Sequence, residues 1–536
     1  MTFADIVIKN GAVFTGLAEA AENVAVAIVG DKILQVAPDK DIAKVINDDT
    51  LIIDAKGHTV MAGFHDAHMH LIHGVLFDEY AVPLGDLKSL EAVQKVLEDH
   101  KTLSLTGDWL IGMGWDHLGW GHTEYPTAAD IDKVISDRPV VLIHAEGHYV
   151  WVNSLALKIA GIDASTPAPD YGVIVKDNAG NPTGILIESA ISLVGRYAYQ
   201  FSEETKTEMV LKFQKHALSL GVTAVNEFFM SRAHEDLFAY ETYKALDEAD
   251  QLAMRIHVWP PMNGDLTQAK DLRARFQSPY LKVGGVKQFI DGVVTGHTAL
   301  MVDEYKDAPG NFGETGYSYE QLEKWVIEAD AEHFQIRFHS IGDGAVRMGL
   351  DLFEAAQKQN GMRDSRHSLE HLEVVDPLDL PRLKALGVQA SIQPAHIALM
   401  PKESHIDRVI DSKHDYIYNS KTFIDQDILV PYASDYPITE LNPFLGIYHA
   451  VTRHDYLGDV WNEKERVSLA TALKAYTIEA AKSTFREAEL GTLEAGKFAD
   501  IVILDKDLFA SSDAELKSAK TRMTLTSGKV RFNAFD

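Results

Sequence analysis

Two histidines, His68 and His70, stand two residues apart at the end of the apolar run GFHDAHMHL (63–71). Side chains alternate along a β-strand, so imidazoles at this spacing project to one side and can share a metal ion. Alone the pair says little, because the chain holds 23 histidines. It gains meaning from Lys287 in VKQFIDG, His339 in RFHSIGD, His371 in LEHLE and Asp435 in SDYP. Neutral imidazoles with a carboxylate suit zinc or a similar divalent ion, and two ions a few ångströms apart can share one hydroxide for hydrolysis. The chain has no cysteine, which excludes thiolate ligands, disulfides, iron–sulfur clusters and a Cys nucleophile. Two ions need a bridging anion, and Asp291 falls beyond the end of its strand, which leaves Lys287. A buried ammonium is costly unless its charge is removed or paired. Carboxylation by carbon dioxide would turn Lys287 into a carbamate, an anionic oxygen ligand. No GxSxG elbow and no HExxH pair occurs, which removes serine hydrolases and zincins.

Such residues need a frame that brings distant stretches together. Short β-like segments recur mostly at intervals near thirty residues: the one ending at His68, then 221–228, 254–260, 281–292, 335–343, 366–374, 387–396 and 428–437. Amphipathic stretches such as SYEQLEKWVIEADAEH lie between them, and the rhythm predicts an α/β fold, a parallel (β/α)8 TIM barrel. Reacting groups in such a barrel sit where strands end, and His68, His70, His339, His371 and Asp435 all fall there, with Lys287 in the fourth strand. The rival is an open doubly wound sheet, but no GxGxxG follows a strand and no Walker A loop is present.

The first sixty residues, together with 499–505 and 521–533, alternate β-rich runs with turn residues. Neither end has enough strands for its own core, which predicts one β-sandwich built from both termini. Some 130 residues separate the first barrel segment from the second, and they carry Trp115, Trp120 and Trp151. An excursion of that length predicts an inserted α/β subdomain acting as a lid or pocket wall. The expected domains are 1–62 and 486–536 for the sandwich, 63–75 with 205–485 for the barrel, and 76–204 for the insertion.

The 536 residues carry a formal charge of −29, which repels phosphate backbones and anionic membranes, so neither nucleic acid nor a membrane is an expected partner; the expected partner is a small-molecule substrate. No apolar run approaches the roughly 20 residues that span a bilayer. The start, MTFADIVIKNG, has no basic stretch followed by an apolar core, so a cytoplasmic location is expected. A homodimer is the default assembly.

The chain resembles the amidohydrolase superfamily, specifically its amidohydrolase family 3 or YtcJ-like branch, over essentially its whole length. The resemblance is carried by DAHMH (66–70), RPVVLIHAEGHYVWVNSLAL (138–157), VKQFIDG (286–292), HSIGDGAV (339–346), LEHLE (369–373), SIQPAH (391–396), SDYP (434–437) and GTLEAGKFADIVILD (491–505). It implies a barrel with a terminal sandwich and an inserted subdomain, and two divalent ions, zinc first, bridged by carboxylated Lys287. His68 and His70 would hold the more buried ion, His339 and His371 the other. Asp435 would be both ligand and catalytic acid–base in hydrolysis of an amide, N-acyl or N-formyl C–N bond by a metal-bridging hydroxide. The alternatives are an esterase, lactonase or phosphotriesterase with the same centre, or a regulatory relative that has lost catalysis.

Other residues have more than one reading. His396 could touch a substrate carbonyl or be an ordinary hydrogen-bonded histidine at the barrel rim. His148, Trp115 and Asp291 are further candidates for substrate contact. For Trp151 and Asn153 the resemblance suggests a wall over the site, and the alternative is a core tryptophan and a helix cap; Asp343 suits a cap for the helix after His339 more than a substrate contact. Asp66 could orient His68 or His70. His65, His73, His117 and His122 are expected on the surface or in the insertion, and His65 stands where the family more often has an apolar residue.

Overall fold

The strands that carry His68, Lys287, His339 and His371 are buried at every position. The computed structural model describes residues 2–103, 107–121, 124–145, 147, 149–169, 172–230 and 237–535. They fall into two units, one comprising Met1–Met69, Gln214–Phe228 and Asp247–Asp536, the other His70–Phe213 and Phe229–Leu246. The fold is α/β.

In the first unit Phe64–Met69 pairs in parallel with Val222–Phe228, which pairs with Arg255–Trp259, itself paired with Leu281–Val283. A second parallel set runs Val286–Phe289, Ile336–Ser340, Ser368–His371 and Gln389–Ser391. Parallel strands covered on both faces lose contact with water, so every polar residue on them must find a partner inside. Gly284 and Gly285 link the two sets. A Cβ at Gly284 would lie 2.4 Å from Trp259 ring atoms, and one at Gly285 2.2 Å from the Gln335 carbonyl oxygen, so only glycine passes there. Beyond this point Lys287 N donates to Pro260 O at 3.1 Å and Met262 N to Lys287 O at 2.7 Å.

At the other edge Ala433 N donates to Ile392 O (3.1 Å), Ala67 N to Tyr432 O (3.2 Å) and Asp435 N to His68 O (2.9 Å). Hydrogen bonds therefore lead from the seventh segment through residues 431–435 back to the first. The eighth segment, expected as a strand over 428–437, is reduced to one parallel bridge, Ile392 to Tyr432. Pro431 and Pro437 lack the N–H groups that a longer ladder needs. The helices between strands are conventionally built. Tyr319–Ala331 starts at Ser318, whose side chain accepts from Gln321 N, whereas Asp343–Asn360 has Gly342 at its cap. Asp343 is thus not the cap expected; it is the first helical residue, accepts from Val302 N and pairs with Lys413.

Both ends of the chain share one five-stranded sheet, in the order Ala12–Phe14, Thr59–Ala62, Ile501–Leu504, Thr521–Thr526, Lys529–Asn533. A four-stranded sheet orders Lys32–Ala37, Ala25–Val29, Ile6–Lys9 and Leu51–Asp54. Ile8, Val26 and Ile28 from the second sheet and Val60, Ile501 and Ile503 from the first belong to one buried cluster. Removing either terminus would expose it.

The second unit holds a mixed six-stranded sheet, Gly172–Lys176, Pro182–Glu188, Tyr149–Val152, Val140–His144, Leu110–Trp115, Val82–Pro83. Trp115 and Trp151 are fully buried in its core and satisfy their indole N–H groups on Leu142 O (2.9 Å) and Thr127 O (2.8 Å). Asn153 caps Ser154–Ala160 by accepting from Ala156 N, as the structural alternative for these residues expects. No helix among the described residues is long and apolar enough to cross a membrane.

Candidate metal centre

His68 stands one residue before the end of the Phe64–Met69 strand, with no exposed surface. Its Nδ1 lies 2.7 Å from Glu370 Oε2. The other oxygen of Glu370 accepts from Ser368 Oγ (2.8 Å) and Arg337 Nη1 (3.3 Å), and Arg337 also donates to Ala67 O and to the backbone and side-chain oxygens of Ser483. A carboxylate held this firmly keeps the proton on Nδ1 and presents Nε2 as a lone pair. That Nε2 lies 3.0 Å from Lys287 Nζ and 3.4 Å from Asp435 Oδ1.

Lys287 is wholly buried, its Nζ 4.7 Å from the Phe228 ring centre and 4.9 Å from that of Phe289. Burial pushes its ammonium down to about 8, against the opposing pull of the Asp435 and Glu370 carboxylates. A neutral amine is therefore accessible close to neutral pH.

Asp435 reaches the same place from the far edge. Its Oδ2 is 3.5 Å from His396 Nε2 and 3.8 Å from His371 Nδ1. Asp435 and His371 both take left-handed backbone angles, φ 59° and 78°. Non-glycine residues hold such angles only where their surroundings dictate them, commonly at working sites. His371 Nδ1 lies 2.9 Å from Gln393 Oε1, and burial pushes the ring well below its ordinary pKa, favouring the neutral form that binds metals. His339 Nδ1 is 3.2 Å from Asp291 Oδ1, and its ring centre is 4.6 Å from that of His371. Asp291 also accepts from Ile341 N, Gly342 N and Leu300 N, and burial pushes it up to about 7.

The donor set fits a divalent ion. His371 Nε2 and His396 Nε2 are buried without a hydrogen-bond partner, a condition that a cation relieves. The structure thus gathers His68, Lys287, His339, His371, His396 and Asp435, with Asp291 behind His339. His70 follows the first strand by one residue and is buried. Trp115 lies in the core of the second unit, and His148 lies outside the described residues, as does His122. His65 and His73 are not surface residues but are 3% and 1% exposed, and His117 lies, 4% exposed, in the second unit. Asp66 accepts from the backbone N–H groups of His68 and Ser434, tying the strand end to the segment that carries Asp435. Glu370, Arg337, Gln393 and Glu373 were not singled out by spacing. Glu370 directly precedes His371, and Arg337 and Glu373 stand two residues from His339 and His371; charge this close to a ligand in an otherwise apolar strand is the signal the sequence carries for these three, and it carries none for Gln393.

A protein-family model described as an amidohydrolase family matches residues 51–532. Relatives include LONG AFTER FAR-RED 3 of Arabidopsis thaliana, 32% identical over 98% of this chain and 91% of its own length. YtcJ of Bacillus subtilis (strain 168) is 30% identical over 89% of this chain and 90% of its own. The N-substituted formamide deformylase of Arthrobacter pascens is 26% identical over 98% of both. A solved structure of an uncharacterized metal-dependent hydrolase from Pyrococcus horikoshii has a TM-score of 0.80 and 24% identity, covering 95% of this chain and 99% of that one. It is a likeness of fold.

Proposed function

The chain belongs to the amidohydrolase family, and from that premise we propose that it is a metal-dependent hydrolase cleaving a C–N bond of a small amide, N-acyl or N-formyl compound. The observation that carries this is the Asp435 carboxylate, 3.4 Å, 3.5 Å and 3.8 Å from nitrogens of His68, His396 and His371. The name of the Arthrobacter relative, an N-substituted formamide deformylase, supports the choice of bond. The architecture in this proposal is a (β/α)8 barrel with a β-sandwich from both termini and an inserted α/β subdomain. The hydrogen bonds that lead from each parallel segment to the next and back to the first support it.

His68, His70, Lys287, His339, His371 and Asp435 would hold two divalent ions, zinc suiting the donors, with Lys287 carboxylated as the bridge. Bound there, such ions supply a Lewis acid for the substrate carbonyl and make water a stronger acid. Asp435 takes the proton of the attacking water on its carboxylate and passes it to the departing nitrogen, which leaves poorly unless protonated. Glu370 keeps the proton of His68 on Nδ1, and Gln393 does the same for His371, so each ring is held in one tautomer. Asp291, fixed by three backbone amides, orients His339.

Chelator-stripped protein assayed against N-formyl and N-acyl amines is expected to lose turnover and regain it with zinc. Asp435→Asn should retain zinc and lose roughly 100- to 10,000-fold in turnover. Full activity in that variant, or cleavage of esters and lactones with no amide cleaved, overturns the proposal.

A further inference from the structure

The geometry points to His396 as an additional metal ligand, completing with His371 and Asp435 a three-donor cation site, and to Glu373 as the residue that positions it. The inference rests on the metal-dependent reading above and extends its ligand set to the end of the seventh parallel segment. One ring nitrogen each of His371 and His396 and one carboxylate oxygen of Asp435 lie within 4.8 Å of one another, and all three residues are buried.

The spacing of the groups around His396 favours a cation over a hydrogen bond. Glu373 Oε1 stands 3.6 Å from His396 Nδ1, while Oε2 of the same carboxylate is 2.9 Å from His405 Nε2, which Tyr418 Oη also approaches at 3.1 Å. Neither Glu373 on the Nδ1 side nor Asp435 on the Nε2 side stands at hydrogen-bond distance from the ring, so each nitrogen faces a carboxylate across a gap. That Nε2 is buried, has no hydrogen-bond partner and faces Asp435 Oδ2 at 3.5 Å. An N–H···O bond would draw the two atoms to about 2.7–3.2 Å. A cation in the gap between Nε2 and Asp435 satisfies both and sets the ring proton on the side of Glu373, and His371, with one ring nitrogen within 4.8 Å of both, adds a further donor. A histidine backed by a buried carboxylate is the usual arrangement at a metal. On this assignment His396 meets the ion rather than the substrate carbonyl.

The test uses the full chain, freed of metal, with Zn2+ and Co2+ as probes. Bound zinc is measured by elemental analysis after equilibrium dialysis, and the cobalt form by its visible absorption. His396→Ala is expected to bind one ion at least tenfold more weakly and to change the cobalt spectrum. Glu373→Gln, which preserves volume, should weaken the same ion about 10- to 100-fold, and it carries the test if His396→Ala does not fold. Wild-type zinc affinity and an unchanged cobalt spectrum in the folded variants overturn the His396 assignment and leave the hydrolase proposal standing. A wild-type chain that takes up no zinc overturns both.

Discussion

His65 and His68 occupy one buried strand three residues apart, 3% and 0% exposed, and they have opposite surroundings. His65 Nε2 meets the Asn226 amide oxygen at 3.1 Å, and its ring stacks on His257, whose Nε2 faces Arg486. Burial, with Arg486, Arg337 and Arg255 adding to it, pushes His65 down to about 3 against the Asn226 bond. At this end of the strands Asp500 is already taken by Arg255, at 2.7 Å and 2.9 Å. His68 instead has Glu370 behind it and Asp435 in front. A buried histidine is therefore not a ligand by virtue of its type. It becomes one where a carboxylate holds one nitrogen and acceptors gather at the other, and it stays a packed neutral ring where guanidinium groups would repel an ion.

The sharpest way to break this contrast is to exchange the two rings for amides. His68→Asn is expected to lose bound zinc and on the order of 100-fold or more in turnover, whereas His65→Asn keeps its zinc. Equal zinc loss in the two variants, by elemental analysis, would erase the distinction. Next in size is Glu370→Gln, which leaves every ligand in place and should weaken zinc about 10- to 100-fold; unchanged affinity in a dialysis titration would show that the carboxylate behind His68 is unimportant.

The smallest effect is on stability. His65 and His449 are held at about 3 and about 4, below the ordinary 6.5, chiefly by burial. Depressed values mean that the unfolded chain binds the protons first, so the stabilisation is complete above pH 6.5 and is lost as pH falls through the folded values. The melting temperature should fall between pH 6.5 and about 4, and His449→Gln should flatten that fall. A melting profile identical to wild type would contradict the assignment of His449 as a buried neutral ring.

Much of this was legible in the chain. His68, His339, His371 and Asp435 close β-like segments, and Lys287 lies in one, because parallel strands place their ends together and leave a repeating trace of short runs. The residues that give these ligands their quality were not. Glu370 is 302 positions from His68, and nothing in local spacing reports a contact at that separation. Pro431 and Pro437 were visible, but the shrinking of the eighth strand to one bridge depends on how its neighbours meet it. The burial of His65 and His73 is hidden for a similar reason, since a polar residue near a metal motif reads as exposed until its packing is known.

The most direct measurement is a crystal structure of the zinc-loaded protein with anomalous data at the zinc edge. Two anomalous peaks are predicted among His68, Lys287, His339, His371 and Asp435, with additional density on Lys287 Nζ for a carbamate. A single ion beside an unmodified Lys287, or zinc at the His65 end of the strand, would contradict the two-metal centre.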